Sequence, residues 1–101
     1  GLMKKILVCC NLSVTSSLLV EKIRSIIKER GLDIEIDSAP VKSAIDHLDG
    51  ADVVMLGPMV GYAKAGFEEG GARKVVVISS EDYQSQYAAR ILDQALEALA
   101  G

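Results

Sequence analysis

No run of apolar residues in this chain approaches the ~20 needed to cross a bilayer, and the first residues lack the succession of basic, apolar and small residues that marks a secretory signal. A cytoplasmic location without direct membrane insertion is the expectation. Nor is there a cationic stripe. The formal net charge is -3, and the basic residues lie at Lys22, Arg24, Lys28 and Arg30 and then singly, which excludes the continuous phosphate contacts that nucleic acid requires. Cysteine is sparse: the two present, Cys9 and Cys10, are adjacent. Neighbouring side chains on a strand point to opposite faces, so the pair suits neither a disulfide framework nor a metal site, and both are expected as thiols. The lone histidine, His47, has no second ligand near it in sequence, so no metal or cofactor is expected. Repeats, linkers and low-complexity segments are also missing. The 101 residues suffice for one core, and a single domain over residues 3–101 is expected, with Gly1 and Leu2 ahead of Met3 read as a cloning remnant.

What is present alternates between two patterns. Ile6-Leu7-Val8-Cys9 is a continuous apolar run, read as a buried strand that enters a polar loop. Apolar residues at 19, 23, 26 and 27 then follow a helical stripe, and Gly31 after the basic turn of 28–30 predicts a helix over about 17–30. Residues 32–37 alternate strictly and predict an edge strand. A weaker helical stretch over 41–48 leads to Val53-Val54-Met55-Leu56, and a later one to Val75-Val76-Val77-Ile78; both β-branched runs read as central strands. Ala89, Leu92, Leu96 and Leu99 give a closing helix over 86–99. Strands joined by right-handed helical crossovers, with the alternating strand at an edge beside the first, make a doubly wound α/β fold: a four-stranded parallel sheet of order 2-1-3-4 with helices on both faces. Chemistry in such sheets gathers at the carboxyl ends of the strands where the order reverses, here between the first and third. Cys10 and Gly57-Pro58 stand at those ends.

The segment Cys10-Asn11-Leu12-Ser13-Val14-Thr15-Ser16-Ser17 therefore places a thiol at a strand end, a polar loop, and then a helix N-terminus. Unpaired N–H groups and the positive end of the helix dipole favour an anion there, and the hydroxyls of Thr15, Ser16 and Ser17 add donors or cap the helix. The same field favours thiolate over thiol. Two readings of Cys10 follow, a nucleophile beside an anion cradle or a small buried apolar residue. A phosphatase of the low-molecular-mass tyrosine type needs an arginine six residues after its cysteine. Here that position holds Ser16, or Thr15 if Cys9 is counted, and no Asp-Pro acid loop is present.

The residues that remain resemble the lactose/cellobiose-type IIB component of the bacterial sugar phosphotransferase system. The resemblance rests on the strand ending in Cys10 with Ser16-Ser17-Leu18-Leu19-Val20 opening a helix. It rests also on Ala51-Asp52-Val53-Val54 with Gly57-Pro58-Met59-Val60-Gly61-Tyr62, and on Val77-Ile78-Ser79-Ser80-Glu81-Asp82-Tyr83 with Ile91-Leu92-Asp93-Gln94-Ala95-Leu96. It implies that Cys10 accepts a phosphoryl group from a phosphohistidine on a IIA protein and delivers it to a sugar bound by the membrane IIC component. Loop residues 11–17 would hold the phosphate, with Pro58 and Tyr62 near the loop or facing a partner; for Tyr62 the other reading is a ring packed on the core. Cys9 reads as core. The chain departs from the family at Ser13, usually glycine, at Ser79, commonly aspartate, and at Gln84 and Tyr87, in place of glycine and aspartate. These departures keep open a regulatory or interaction domain on the same fold.

Overall fold

The computed structural model describes residues 3–10 and 14–100, the side chains of Val14 and Thr15 excepted. Four strands, β1 (Lys4–Cys9), β2 (Ile34–Ala39), β3 (Val53–Leu56) and β4 (Val75–Val77), form one parallel sheet of order β2-β1-β3-β4. Ile6 stands between Ile36 of β2 and Val53 of β3, and Leu56 pairs with Cys9 on one side and Val77 on the other. The helices are α1 (Val14–Glu29), α2 (Val41–Ala44), α3 (Lys64–Glu69), α4 (Ser80–Gln84) and α5 (Ala88–Ala100), with 3₁₀ turns at Leu48–Gly50 and Pro58–Ala63.

The two-residue period of the strands divides the core. Ile6, Val8 and Cys10 face one layer with Leu19 and Ile23 of α1 and Ile91 of α5. Leu7 and Cys9 face the other, with Ala44 of α2, Leu48 and Phe67 of α3. Arg30 to Asp93, at 2.9 Å, links the outer surfaces of α1 and α5.

Three expectations need correction. The β-branched run at 75–78 does not make a central strand: β4 is the far edge of the sheet, only three residues long, with Val75 and Val76 half-buried and Val77 exposed. Val76 and Ile78 pack against one core layer and Val75 against the other, and the 3₁₀ turn after β3 lies on Val77 so closely that a Cβ on Gly61 would stand 3.2 Å from a Val77 methyl. The helix expected over 17–30 begins at Val14, so Ser16 and Ser17 lie inside its first turn, where backbone N–H groups lack intrahelical partners. The weak stretch at 41–48 resolves into one α-helical turn followed by the 3₁₀ turn.

The alternating strand is the edge it was expected to be. Lys4 donates from its backbone N–H to the Asp33 carbonyl, so the parallel ladder turns the peptide groups of Ile34, Ile36 and Ser38 away from β1. Arg24 of α1 donates to the outward Ile36 carbonyl at 2.7 Å and also pairs with Glu21, covering the middle of an edge that would otherwise invite another strand. At the opposite end of the sheet, Asp52 accepts from the Lys5 backbone N–H at 2.8 Å and from Arg73 at 3.1 Å. The acidic residue of the Ala-Asp-Val-Val segment is thus a clasp at the amino ends of β1 and β3, remote from the strand ends that carry the cysteines.

Candidate active site at the carboxyl ends of the strands

β1 ends at Cys9, and Cys10 follows in a bend. Both thiols are free and buried, on opposite sides of the sheet. Cys9 is wholly enclosed in the layer that holds Phe67, and burial, with a smaller contribution from charge on Cys10, pushes its thiol up to about 12 from an ordinary 9.0. At neutral pH it keeps its proton, which removes it as a nucleophile. Cys10 faces the α1 and α5 layer and is 4% exposed.

The raised pKa of Cys9 has a consequence for stability that can be measured. Between pH 9 and pH 12 the unfolded chain has released this proton while the folded chain retains it. The unfolded state then binds fewer protons, so stability that is fully present below pH 9 falls as pH rises. Urea midpoints taken from pH 8 to 10.5 should decline more steeply for the parent than for Cys9→Ala. Equal slopes would show that the thiol does not ionise differently in the two states.

The carboxyl end of β3 lies against Cys10. Gly57 donates its N–H to the Cys9 carbonyl at 2.9 Å, and a Cβ built at position 57 would stand 3.2 Å from Cys10 Cβ. Glycine is needed here for close approach, its φ of -60° being open to any residue. Gly57→Ala is expected to cost about 1–3 kcal/mol through overpacking and to displace Cys10; urea denaturation, with the alkylation rate of Cys10, checks both.

Pro58 opens the 3₁₀ turn as a half-buried residue, and beyond it Met59 is 74% and Tyr62 81% exposed. The Tyr62 ring is therefore not packed on the core. Leu18, on the first turns of α1, is likewise exposed. Ser16 is buried and Ser17 exposed. Asn11, Leu12 and Ser13 lie outside the described residues, as do the side chains of Val14 and Thr15, so the loop itself contributes no geometry here. His47 is exposed and, among the described residues, no cluster of histidine, cysteine or carboxylate side chains could hold a metal ion. A groove of about 600 Å³ between α1 and the start of α5 is lined by residues including Lys22, Ile26, Tyr87 and Arg90, and neither cysteine lines it.

Sequence reasoning missed the element that closes the site on its third side. After β4 the chain forms α4, capped by Ser79, whose hydroxyl accepts from the Asp82 N–H at 3.1 Å. Serine and aspartate are equivalent N-caps, so the departure at Ser79 preserves the local structure. Asp82 is itself buried and accepts from Arg90 at 3.0 Å, and the Arg90 guanidinium lies 4.6 Å from the centroid of the Tyr87 ring. The departure at Tyr87 thus belongs to a stacked assembly that pins α4 to α5, and Gln86 between them takes a positive φ of 56°. From α4 the Tyr83 phenol reaches the Ser16 hydroxyl at 3.0 Å. The Ser-x-x-Asp capping pattern at 79–82 was the available signal for the helix.

A parallel sheet of this order, with a strand-end cysteine beside a helix N-terminus at the switch point, defines a flavodoxin-like α/β domain. The chain belongs to the lactose/cellobiose IIB family of the phosphotransferase system: the family model for "PTS system, Lactose/Cellobiose specific IIB subunit" matches residues 5–94. A curated relative, the oligo-beta-mannoside-specific EIIB component of the phosphotransferase system of Bacillus subtilis (strain 168), is 33% identical over 63 residues. The match covers 62% of this chain and 61% of that protein's length. Two solved structures share the fold. The lactose-specific IIB component domain from Streptococcus pneumoniae has a TM-score of 0.83 at 20% identity, covering 95% of this chain and 97% of that one. The cellobiose-specific IIB component from Borrelia burgdorferi has a TM-score of 0.80 at 24% identity, covering 97% and 93%. Family membership makes the chain a component of a sugar phosphotransferase system. No helix among the described residues is long and apolar enough to cross a membrane.

Proposed function

We propose that this domain is a phosphoryl carrier that works in the cytoplasm and uses Cys10 as its acceptor. The Cys10 thiolate attacks the phosphorus of a phosphohistidine on a IIA protein; the S–P bond forms as the P–N bond breaks, and the imidazole recovers its electron pair. The phosphoryl group then passes to a hydroxyl of a sugar bound by the membrane IIC component, with the S–P bond broken, the thiolate released and the hydroxyl proton lost to solvent or a base on the partner. Backbone N–H groups of residues 11–17 and the positive end of α1 hold the charged ester. Pro58 and Tyr62, with the exposed Met59, form part of the surface that meets a partner, and the sugar is chosen by the membrane component.

The observation that carries this reading is the division of labour between the two thiols. Cys9 is sealed in one layer and held protonated, whereas Cys10 follows the end of β1 on the α1 side, beside Gly57. Among the described residues no arginine follows Cys10 at the sixth position, so the loop lacks the guanidinium fork with which phosphatases of this arrangement promote attack by water. That favours a carrier over a hydrolase.

The test is incubation with phosphoenolpyruvate, the general phosphotransfer proteins and candidate IIA proteins, followed by intact-mass measurement and mapping of the modified residue. One phosphoryl group on Cys10 is the expected result. A folded domain that takes phosphate from none of these donors would point to a regulatory or interaction role, and steady release of phosphate from aryl phosphates would point to a hydrolase.

A further inference from the structure

The site just described draws its named parts from the ends of β1 and β3, yet the structure brings a third strand end to it. Tyr83 stands on α4 after β4, 67 positions from Ser16 in the sequence, and its phenol oxygen lies 3.0 Å from the Ser16 hydroxyl. Ser16 is 1% exposed and sits in the first turn of α1, where backbone N–H groups have no intrahelical acceptor. A hydroxyl buried this thoroughly keeps whatever orientation its partners impose, since no water is at hand to replace them.

The phenol is held from behind. The ring packs against the layer that contains Cys10, Ser79 caps the helix that carries it, and the buried Asp82, next to it in the chain, is fixed by Arg90. A five-residue helix has no stability of its own, so these contacts have a consequence beyond α4: they give Tyr83 one position relative to α1. We infer that Tyr83 is a positioning residue for phosphoryl transfer, orienting the Ser16 hydroxyl and with it the last part of the loop that follows Cys10. This rests on the carrier reading above.

Tyr83→Phe removes one oxygen and leaves the ring on the core. Transfer from a phosphorylated IIA donor to Cys10 should slow roughly five- to tenfold, the size of one buried hydrogen bond between neutral groups, with the donor KM unchanged and the thermal midpoint within a few degrees of the parent. Ser16→Ala, which removes this contact together with the hydroxyl's other interaction, should lose at least as much, and the double variant no more than Ser16→Ala alone. Ser16→Thr, which keeps the hydroxyl, should restore most of the rate. A parental rate in Tyr83→Phe would overturn the proposal, as would a double variant whose loss is the product of the two. Should the parent itself accept no phosphate, the carrier reading fails, and the role of Tyr83 is then decided by the pH dependence of Cys10 alkylation with iodoacetamide. A profile displaced in Tyr83→Phe and in Ser16→Ala sustains the positioning role, and coincident profiles overturn it.

Discussion

Cys10→Ser is expected to abolish acceptance of a stable phosphoryl group while leaving the fold intact, and Cys9→Ala to retain acceptance. The asymmetry follows from the two layers of the core. Serine differs from cysteine at one atom, so Cys10→Ser changes little in packing, but a hydroxyl with an acidity far weaker than a thiol supplies almost no nucleophilic anion at neutral pH. Cys9 lies on the far side of the strand, holds its proton up to about 12 and fills space beside Leu56 and Phe67. Its replacement by alanine costs stability through a small cavity and does not touch the acceptor. Intact-mass spectra after incubation with a competent phosphodonor separate the outcomes. Phosphate on a Cys10→Ser domain that maps to Cys9 would reverse the assignment.

Phe67→Ala should be among the most damaging single substitutions outside the site, with a loss of about 3–5 kcal/mol against a total of about 5–15 for domains of this kind. Phe67 is the only phenylalanine in the chain and is fully buried. Its helix, α3, has six residues, too few to persist without tertiary anchoring. The ring fills the layer between α3 and the sheet with Leu48, Val54 and Val60, and Gly71, at a positive φ of 103°, turns the chain into β4 directly after it. Losing the ring therefore loosens the connection that delivers β4 to the edge. Urea denaturation measures the loss, Phe67→Leu should recover much of it, and a change below about 1 kcal/mol in Phe67→Ala would show that this layer repacks freely.

How much of this could be read along the chain differs from element to element. The run Val53-Val54-Met55-Leu56 became β3 at those residues, and the alternation at 32–37 marked the strand that lies at an edge. The continuous run at 75–78 misled because side chains buried on both faces of a strand look the same whether or not its outer edge is paired, and here Val76 and Ile78 meet one core layer and Val75 the other. The helix α4 escaped notice because five residues carry no periodicity, only a cap.

The site divides in the same way. Local pattern alone determined that a thiol ends the first strand, that hydroxyl-bearing residues open the next helix, and that Gly57-Pro58 ends the strand at the switch point, since each is a relation between near neighbours in the chain and the backbone periods of strand and helix. Only the tertiary structure decided that Cys9 is sealed among apolar groups while Cys10 lies against Gly57, that Asp52 is a clasp at the opposite end, and that Tyr83 meets Ser16. Burial and hydrogen-bond partnership belong to pairs of residues brought together by folding, and those pairs lie as far as 67 positions apart.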